Sequence, residues 1–344
     1  MNGNARGGMT LVELLVVLVI LASLALSVAV SSSGALDRAR TEKARRQGHA
    51  MRGALAGADG LDLARDMGRM LDTAQPGELA LFASRTFRRD ARHRVGEDGP
   101  LDPDRPGDLR LAPLFRAYSV AELRSSVTNV SAEAATLNAC FAVPAVSNLW
   151  SGASVGAGWR GPYCAEAEPD ADTCLLLDPF GGFWDFTAEA SMRTLVCYGM
   201  DRLGDGTSSV DTNDWRNLDI RFPVCPTNDT GELDVVVDFP SDDGAAATNT
   251  VTIYCLAPQL HAEDACLESD GVTCRMLPAA FRAVSVPAAA SAGGMVTIGG
   301  LAPGTWAVFP HAQVGGGHYA APVRPVTVGR GRSRVRFTLC RLTP

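Results

Sequence analysis

A single carboxylate lies at the start of a long apolar run near the amino terminus of this 344-residue chain. Glu13 is followed by residues 14–30, which contain no charged side chain. A carboxylate within a membrane-length helix costs several kcal/mol unless a partner neutralises it. We therefore expect Glu13 to be functional, because its charge requires a partner.

A second group of carboxylates lies in a glycine-rich stretch further along the chain. It comprises Asp201, Asp205, Asp211, Asp214 and Asp219, interleaved with Gly, Ser, Thr and Asn. Calcium takes six to eight oxygen ligands at about 2.3–2.6 Å, and a flexible acidic loop can wrap such an ion. The EF-hand pattern is absent. The sequence leaves open the alternative of a solvated acidic loop without metal.

Residue patterns typical of catalysis are weak. Gly152–Gly156 fits G-x-S-x-G, but that elbow needs a strand before it and a helix after it, and a Ser/Gly-rich loop is expected here. His311 and His318 flank a glycine-rich loop and are expected to be exposed turn residues. The histidines form no H-E-x-x-H pattern and lie at 49, 93, 261, 311 and 318. We expect no enzyme.

The cysteines follow the apolar run and lie at 140, 164, 174, 197, 225, 255, 266, 274 and 340. No C-x-x-C pair occurs, so a tetrahedral zinc site has little support. Disulfides in an oxidising compartment are the better interpretation, with Cys164–Cys174 and Cys266–Cys274 as candidate local bridges. The odd number leaves at least one thiol unpaired or paired between chains. A net charge of −7 argues against a general nucleic-acid surface.

The apolar run could belong to more than one kind of targeting segment. A secretory signal peptide has a charged start, an apolar core of about 7–15 residues and a small-residue cleavage site. Here the leader carries only Arg6 and the run 14–30 is longer, although Ser27–Ala29 would pass as such a site. A signal anchor fits the length. It explains neither the embedded carboxylate nor the Gly8/Met9 junction.

A leader ending in glycine, an apolar run and a glutamate five positions after that glycine together resemble the class III signal of type IV pilins and type II secretion pseudopilins. The resemblance implies that prepilin peptidase cuts after Gly8 and methylates the new amino terminus on Met9. It also implies that Glu13 pairs with the amino terminus of a neighbouring subunit and directs assembly. Met9 stands where the family usually has phenylalanine.

The segment after the apolar run is expected to continue as a helical stem, because residues 35–46 contain no proline. The basic cluster 38–46 is interpreted as a solvated helix face, with lipid headgroups or a neighbouring subunit as alternative contacts. Amphipathic helices are predicted over 61–71 and 82–94. A loop is predicted over 98–107.

A series of short motifs resembles the head of the major, G-type pseudopilin of type II secretion. The motifs are Gly161-Pro162-Tyr163, Leu177-Asp178-Pro179-Phe180-Gly181, Val196–Asp201, Gly204-Asp205-Gly206 and Asp219-Ile220. Phe180 replaces the family's usual tryptophan, and this chain has a cysteine-bounded insert and a longer acidic loop. The acidic loop of that family binds calcium. The resemblance implies calcium ligands at Asp201 and Asp219 first, then at Asp205 and Asp211.

The chain after Cys225 shows period-two alternation and Gly/Pro turns, which predict a β-sandwich. The predicted strands are 233–239, 250–254, 281–286, 294–298, 305–309, 323–328 and 335–339. Residues 300–308 resemble the Leu-x-Pro-Gly-x-Tyr turn of carboxypeptidase-regulatory-like and Cna-B-like domains. Such modules are usually stalks or interaction surfaces.

The predicted fold is α+β, with a long amino-terminal transmembrane and stem helix, a pilin-like head with a small antiparallel sheet, and a C-terminal β-sandwich. The expected divisions are leader 1–8, helix 9–48, head 49–223 and β-sandwich 224–344. The expected location is the inner membrane, as a single-pass protein anchored through residues 14–30 with its soluble part in the periplasm.

The predicted function is that of a pseudopilin-like filament subunit that supports type II secretion across the outer membrane. The expected partners are other pseudopilins, an inner-membrane assembly platform and prepilin peptidase, and no nucleic acid. A minor type IV pilin with a binding domain at the filament tip is the first alternative, because a typical G-type pseudopilin ends near residue 220. The second is a membrane-anchored binding or catalytic protein that does not assemble.

Overall fold

The computed structural model describes residues 11–56, 63–71, 73, 79, 83, 86–88, 109–111, 114–127, 131–167, 169–170, 175–200, 218–227, 230–239, 250–260, 276–287 and 295–342. The first element is helix α1, Leu11–Ala56, with 46 residues. At 1.5 Å per residue it is about 69 Å long. The helix continues through the predicted stem and ends eight residues beyond the expected limit at 48.

Four shorter helices occur in the described residues between 63 and 150. In the described residues they are α2 Leu63–Met67, α3 Val120–Ser125, α4 Ala132–Phe141 and α5 Pro144–Trp150. Local sequence explains their starts. The hydroxyls of Ser119 and Ser131 cap α3 and α4 by accepting hydrogen bonds from backbone N–H groups. Pro144 occupies the first turn of α5, where no N–H is needed.

Strands dominate the rest of the described chain. They are β1 Thr86–Arg88, β2 Leu109–Leu111, β3 Arg116–Ser119, β4 Ser154–Ala157, β5 Asp185–Glu189, β6 Met192–Cys197, β7 Ile220–Pro226, β8 Gly231–Asp238, β9 Thr250–Leu260, β10 Met276–Pro287, β11 Met295–Leu301, β12 Gly304–Val314, β13 Gly317–Ala320, β14 Arg324–Val328, β15 Arg332–Thr338 and β16 Cys340–Leu342. A long amino-terminal helix followed by mostly antiparallel sheets agrees with the predicted α+β class.

One predicted helix is wrong in its described part. Residues 82–94 were expected to be helical, but Thr86–Arg88 form strand β1, which pairs antiparallel with β2. A β-branched residue followed by an aromatic one favours a strand, and the cross-strand partner decides the outcome. Of the helix predicted over 61–71, the described residues 63–71 contain α2, Leu63–Met67. The loop predicted over 98–107 lies outside the described residues.

A three-stranded antiparallel sheet, β5-β6-β7, packs on the second half of α1. Phe222 of β7 lies directly against Gly48 of the helix, where an added Cβ would come within 2.1 Å of the phenyl ring. The ring of His49 meets Phe222 edge-on, with centroids 5.0 Å apart. The close approach therefore requires glycine at position 48.

The C-terminal part is a β-sandwich. Its larger sheet has the order β10-β9-β12-β13-β16, with β14 also paired to β12, and its smaller sheet has the order β11-β8-β15. Strands β8 and β15 run parallel. Leu233, Val235 and Val237 point inward from the smaller sheet and share a core with Val251 and Ile253 of β9. Each of the seven predicted strands overlaps an observed one, and β13 and β16 are additional.

The larger sheet has a second buried face, directed at the helices. Tyr254 and Leu256 of β9 alternate with the inward residues and join the core of the head instead. Trp150 of α5 packs on Tyr254 and Phe309, with ring centroids 6.3 and 4.6 Å away, and its Nε1 donates to the carbonyl oxygen of Ala321 at 3.0 Å. The expected border at 223/224 thus falls inside one continuous hydrophobic core.

Candidate assembly site

The first half of α1 is an apolar surface that the rest of the described chain leaves open. Every residue from Leu11 to Ser27 is exposed. The exposed fractions of Leu11, Val12 and Leu26 are 80%, 67% and 67%. Contiguous apolar surface of this extent marks a site of protein or membrane interaction.

Glu13 lies in the first turn of α1 and is exposed. A carboxylate at this position also interacts favourably with the positive end of the helix dipole. Gly8 and Met9, the predicted cleavage and methylation positions, lie outside the described residues. Of the three predicted signal residues, the structure therefore places only Glu13.

Residues 14–30, the predicted membrane segment, begin within α1. Among the residues that the structure describes, no helix has both the length and the apolarity of a membrane span.

The second half of α1 is held to the head by one face. Ala44, Met51 and Leu55 are fully or almost fully buried. Gln47, also buried, donates from Nε2 to the carbonyl oxygen of Glu166. The stem is therefore fixed to the head, whereas the apolar segment before it is not covered by the described chain.

The Gly-Pro-Tyr motif joins the head to α2. The Tyr163 hydroxyl donates to Oδ2 of buried Asp66 at 3.0 Å and accepts a hydrogen bond from the backbone N–H of Arg160 at 2.8 Å. Burial raises the pKa of the Asp66 carboxyl, and the Tyr163 hydroxyl and Arg160 oppose that shift. The guanidinium of Arg160 stacks 3.8 Å from the centroid of the Phe115 ring. The hydrogen bonds of this motif therefore hold the loop around Tyr163 against α2.

The Asp-Pro-Phe-Gly motif forms a tight turn closed by its aspartate. Oδ1 of Asp178 accepts hydrogen bonds from the backbone N–H groups of Phe180 and Gly182, both at 2.8 Å. The thiol of Cys197 faces Oδ2 of Asp178 at 3.6 Å. Burial and the nearby Asp178 charge raise the pKa of Cys197, so this thiol stays protonated.

The predicted calcium ligands are only partly placed. Asp201, Asp205 and Asp211 lie outside the described residues. Asp219 immediately precedes β7, and its side chain is buried. Its Oδ2 forms an ion pair with Arg221, which also pairs with Glu189. Within the described part of the chain, no group of three or more His, Cys, Asp or Glu side chains could hold a metal.

One thiol and two imidazoles, of which the Cys140 and His311 side chains are buried and His318 is half-buried, form a line between the head and the larger sheet. Sγ of Cys140 is 3.4 Å from Nδ1 of His311, and Nε2 of His311 is 3.0 Å from Nδ1 of His318. His311 is 6% exposed in β12 and pairs across the strands near His318 of β13. Burial, followed by the neighbouring His318, lowers the pKa of His311 to about 4.

The expectation that His311 and His318 are exposed turn residues is wrong. They belong to strands on either side of the turn, and one of them is buried. The glycine-rich segment between the two histidines indicated a turn, but it did not show that their rings are in contact. Only the register between β12 and β13 brings the two rings together. No signal in the sequence links Cys140 of α4 to them.

Each predicted disulfide pair includes at least one cysteine outside the described residues, so both pairs stay predictions. Cys164 is a buried thiol without a bridge to another described cysteine, and burial raises its pKa. Its predicted partner Cys174 and the pair Cys266–Cys274 lie outside the described residues. Cys340, on edge strand β16, is the exposed thiol of the described set.

The G-x-S-x-G match does not lie in the geometry of a nucleophile elbow. Ser154 begins strand β4, and helix α5 comes before it, not after it. This order is the reverse of the strand–turn–helix arrangement that exposes a nucleophilic serine.

Comparison with known proteins identifies the amino-terminal segment. Residues 3–29 match the family model described as the prokaryotic N-terminal methylation motif. No curated protein matches the chain. A solved structure described as a candidate cell adhesion protein from Bacteroides ovatus ATCC 8483 is 10% identical and covers 73% of this chain and 91% of its own. Its TM-score of 0.21 is too low to support an argument.

The motif defines residues 3–29 as a class III prepilin-type signal, the signal of type IV pilin-like and pseudopilin subunits. It spans the Gly8/Met9 junction and Glu13. It therefore implies processing by prepilin peptidase and assembly with other pilin-like subunits.

Proposed function

We propose that this protein is a pseudopilin-like filament subunit of a type II secretion system. The observation that supports the proposal is the exposed apolar segment Leu11–Ser27, which carries the prepilin-type motif and a first-turn glutamate. Before assembly, residues 14–30 would lie in the inner membrane. In the filament, the same surface would be buried against the helices of neighbouring subunits.

Glu13 has a specific part in this proposal. Its carboxylate would pair with the methylated amino terminus of a neighbouring copy, which sets the register between subunits. An unpaired charge in an apolar helix bundle is costly, so register errors would be disfavoured. No bond is made or broken by this group. The subunit would act by assembly and not by catalysis.

The first test is mass spectrometry of the native protein extracted from membranes. A chain that begins at methylated Met9 is the expected result. A chain that begins at Met1, or near Val30, would indicate an anchor or a secreted protein and would contradict the assembly proposal.

The second test is the substitution Glu13→Ala. The variant should stay in the membrane and be processed normally, but be incorporated into filaments at a severalfold lower level. Glu133→Ala is a matched control, because Glu133 is also an exposed first-turn glutamate but belongs to α4 of the head. Equal incorporation of the two variants would refute the proposed role of Glu13.

A minor type IV pilin at the filament tip is the second candidate function. The feature that favours it is the β-sandwich, which shares a core with the head and therefore enlarges every subunit rigidly. A subunit of this bulk fits best where it has few lateral neighbours. Loss of exoprotein secretion on deletion would support the first candidate, whereas loss of pilus-dependent attachment with normal secretion would support the second.

Calcium binding by the acidic loop is a further part of the proposal. Of the implied ligands, Asp219 is described, and its Oδ2 is paired with Arg221, so the ion would depend mainly on Asp201, Asp205 and Asp211. A bound ion would stabilise the head. Thermal unfolding with calcium and with a chelator should differ for the native chain, and this difference should vanish in the variant Asp205→Asn/Asp211→Asn.

A further inference from the structure

Three arginines form a line along the stem of α1. Arg38, Arg45 and Arg52 are spaced by seven residues, and each is exposed. Seven residues are almost two helical turns, so the three side chains share one face of the helix. The spacing along the axis is about 10 Å, which gives a basic ridge about 21 Å long. We define these three residues as the basic ridge.

The basic ridge differs from the other stem cations in its partners. Arg40 lies 3.6 Å from Asp37, and Arg46 lies 3.2 Å from Glu166. Within the described residues, the three ridge arginines make no ion pair and no side-chain hydrogen bond. Their charge is thus available to a partner outside the described chain.

The partner must be acidic, and the charge distribution of the chain indicates one. Residues 37–52 contain six cationic and two anionic side chains, a net charge of +4. Residues 1–36 are neutral, with Arg6 and Glu13. Since the whole chain carries −7, removing the stem's +4 leaves −11 on residues 53–344. The body of a second copy is therefore complementary in sign to the ridge.

A lipid surface fits the ridge poorly. The headgroup layer extends about 5–8 Å beyond the hydrocarbon on each side. Counting from Val30 at the end of the apolar run, Arg45 lies about 22 Å and Arg52 about 33 Å further along the helix. Arg38, about 12 Å along the helix, is the nearest to the headgroups, and Arg45 and Arg52 lie well beyond them when the apolar run spans the bilayer.

Continuity with the assembly surface favours a second copy over an unrelated acidic protein. The ridge lies on the same helix as the exposed segment Leu11–Ser27, and the head is attached directly to that stem. When the apolar segments of neighbouring copies pack together with an axial offset, the head of one copy comes beside the stem of another. Arginine is suited to such contacts because its planar guanidinium can bind a carboxylate through two hydrogen bonds.

We propose that Arg38, Arg45 and Arg52 form a docking surface for the acidic head or β-sandwich of a neighbouring copy of this chain. This inference rests on the proposed function as a filament subunit. The ridge attracts the neighbour and fixes its rotation about the stem, while the apolar segment provides the main burial. Exposed ion pairs are screened by salt, so contact through the ridge weakens as ionic strength rises.

The inference can be tested with the full chain in membranes. A photo-crosslinking amino acid in place of Glu42, which lies on the ridge face between Arg38 and Arg45, leaves all three arginines intact. The expected product is a crosslink to a peptide from residues 53–344 of a second copy, and its yield should fall severalfold in high salt. A lipid adduct, a crosslink to another protein or no crosslink would overturn the inference.

A variant series separates the ridge from the proposed function. Replacing the three ridge arginines with glutamine should lower filament yield severalfold without changing processing or membrane insertion. Arg45→Gln should lower it more than Lys43→Gln, which removes one exposed charge from another face of the same helix. If the native chain forms no filament, the proposed function fails. If the native chain and the triple variant assemble equally, only the ridge proposal fails.

Discussion

At the scale of single residues, His311 shows how context changes the chemistry of a side chain. It lies between a thiol and a second imidazole, 6% exposed, at the junction of the head and the larger sheet. Its two ring nitrogens face protein partners, so the neutral ring satisfies both contacts. Among the residues that the structure describes, no carboxylate forms an ion pair with His311, so an added proton would be buried without compensation there.

We predict that acidification destabilises the protein through His311. Its pKa is about 4 in the folded state and 6.5 in the unfolded state, so the unfolded state binds the proton first as pH falls. The stability contributed by the neutral ring is complete above pH 6.5 and is lost between 6.5 and 4. The loss amounts to about 2–3 kcal/mol.

The measurement is chemical unfolding of the native chain and of His311→Gln at pH 7 and pH 4.5. The difference between the two proteins removes the effect of carboxylates that titrate in both. The native chain should lose more stability than the variant over this range. Parallel losses would show that the His311 ring is not responsible.

At the scale of elements, α1 combines two different helix surfaces. Its first half exposes apolar side chains, and its second half buries one face on β6 and β7. The surroundings of the two glycines Gly34 and Gly48 differ in the same way. Gly48 touches the Phe222 ring, whereas a Cβ at Gly34 would meet nothing within 4 Å.

We predict opposite effects of the same substitution at these two glycines. Gly34→Ala should stabilise the helix by up to about 1 kcal/mol, because alanine has the higher helix propensity. Gly48→Ala should destabilise the protein by about 1–3 kcal/mol, because its methyl group overlaps Phe222. Thermal unfolding in detergent measures both. Similar changes in the two variants would contradict the close packing of β7 on the stem.

At the scale of the whole molecule, the larger sheet is a shared middle layer. One of its faces packs on the smaller sheet, and the other packs on the helices of the head. Gly304, at the start of β12, also lies against Gly68 after α2, where an added Cβ would come 3.0 Å from the Gly68 Cα. The β-sandwich is therefore part of the body and not a detached stalk.

We predict that the head and the β-sandwich unfold together. Trp150→Ala removes the largest side chain between them and should cost about 3–5 kcal/mol. The loss should appear in one cooperative transition that is seen equally by proteolysis of the head and of the sandwich. Two separate transitions, or protection of the sandwich alone, would indicate independent domains.

Features that depend on local pattern could be predicted from the amino-acid sequence alone. The continuous helix and the seven C-terminal strands follow from apolar periodicity and turn residues, which act over short distances. The prepilin-type signal around Glu13 was found by its resemblance to a known motif, which lies within one short segment. Features that depend on distant partners became visible in the folded structure. It made residues 86–88 a strand, buried His311 beside Cys140 and joined the two expected domains through Trp150. These outcomes need contacts between segments far apart in the chain, and no local pattern encodes which segments will meet.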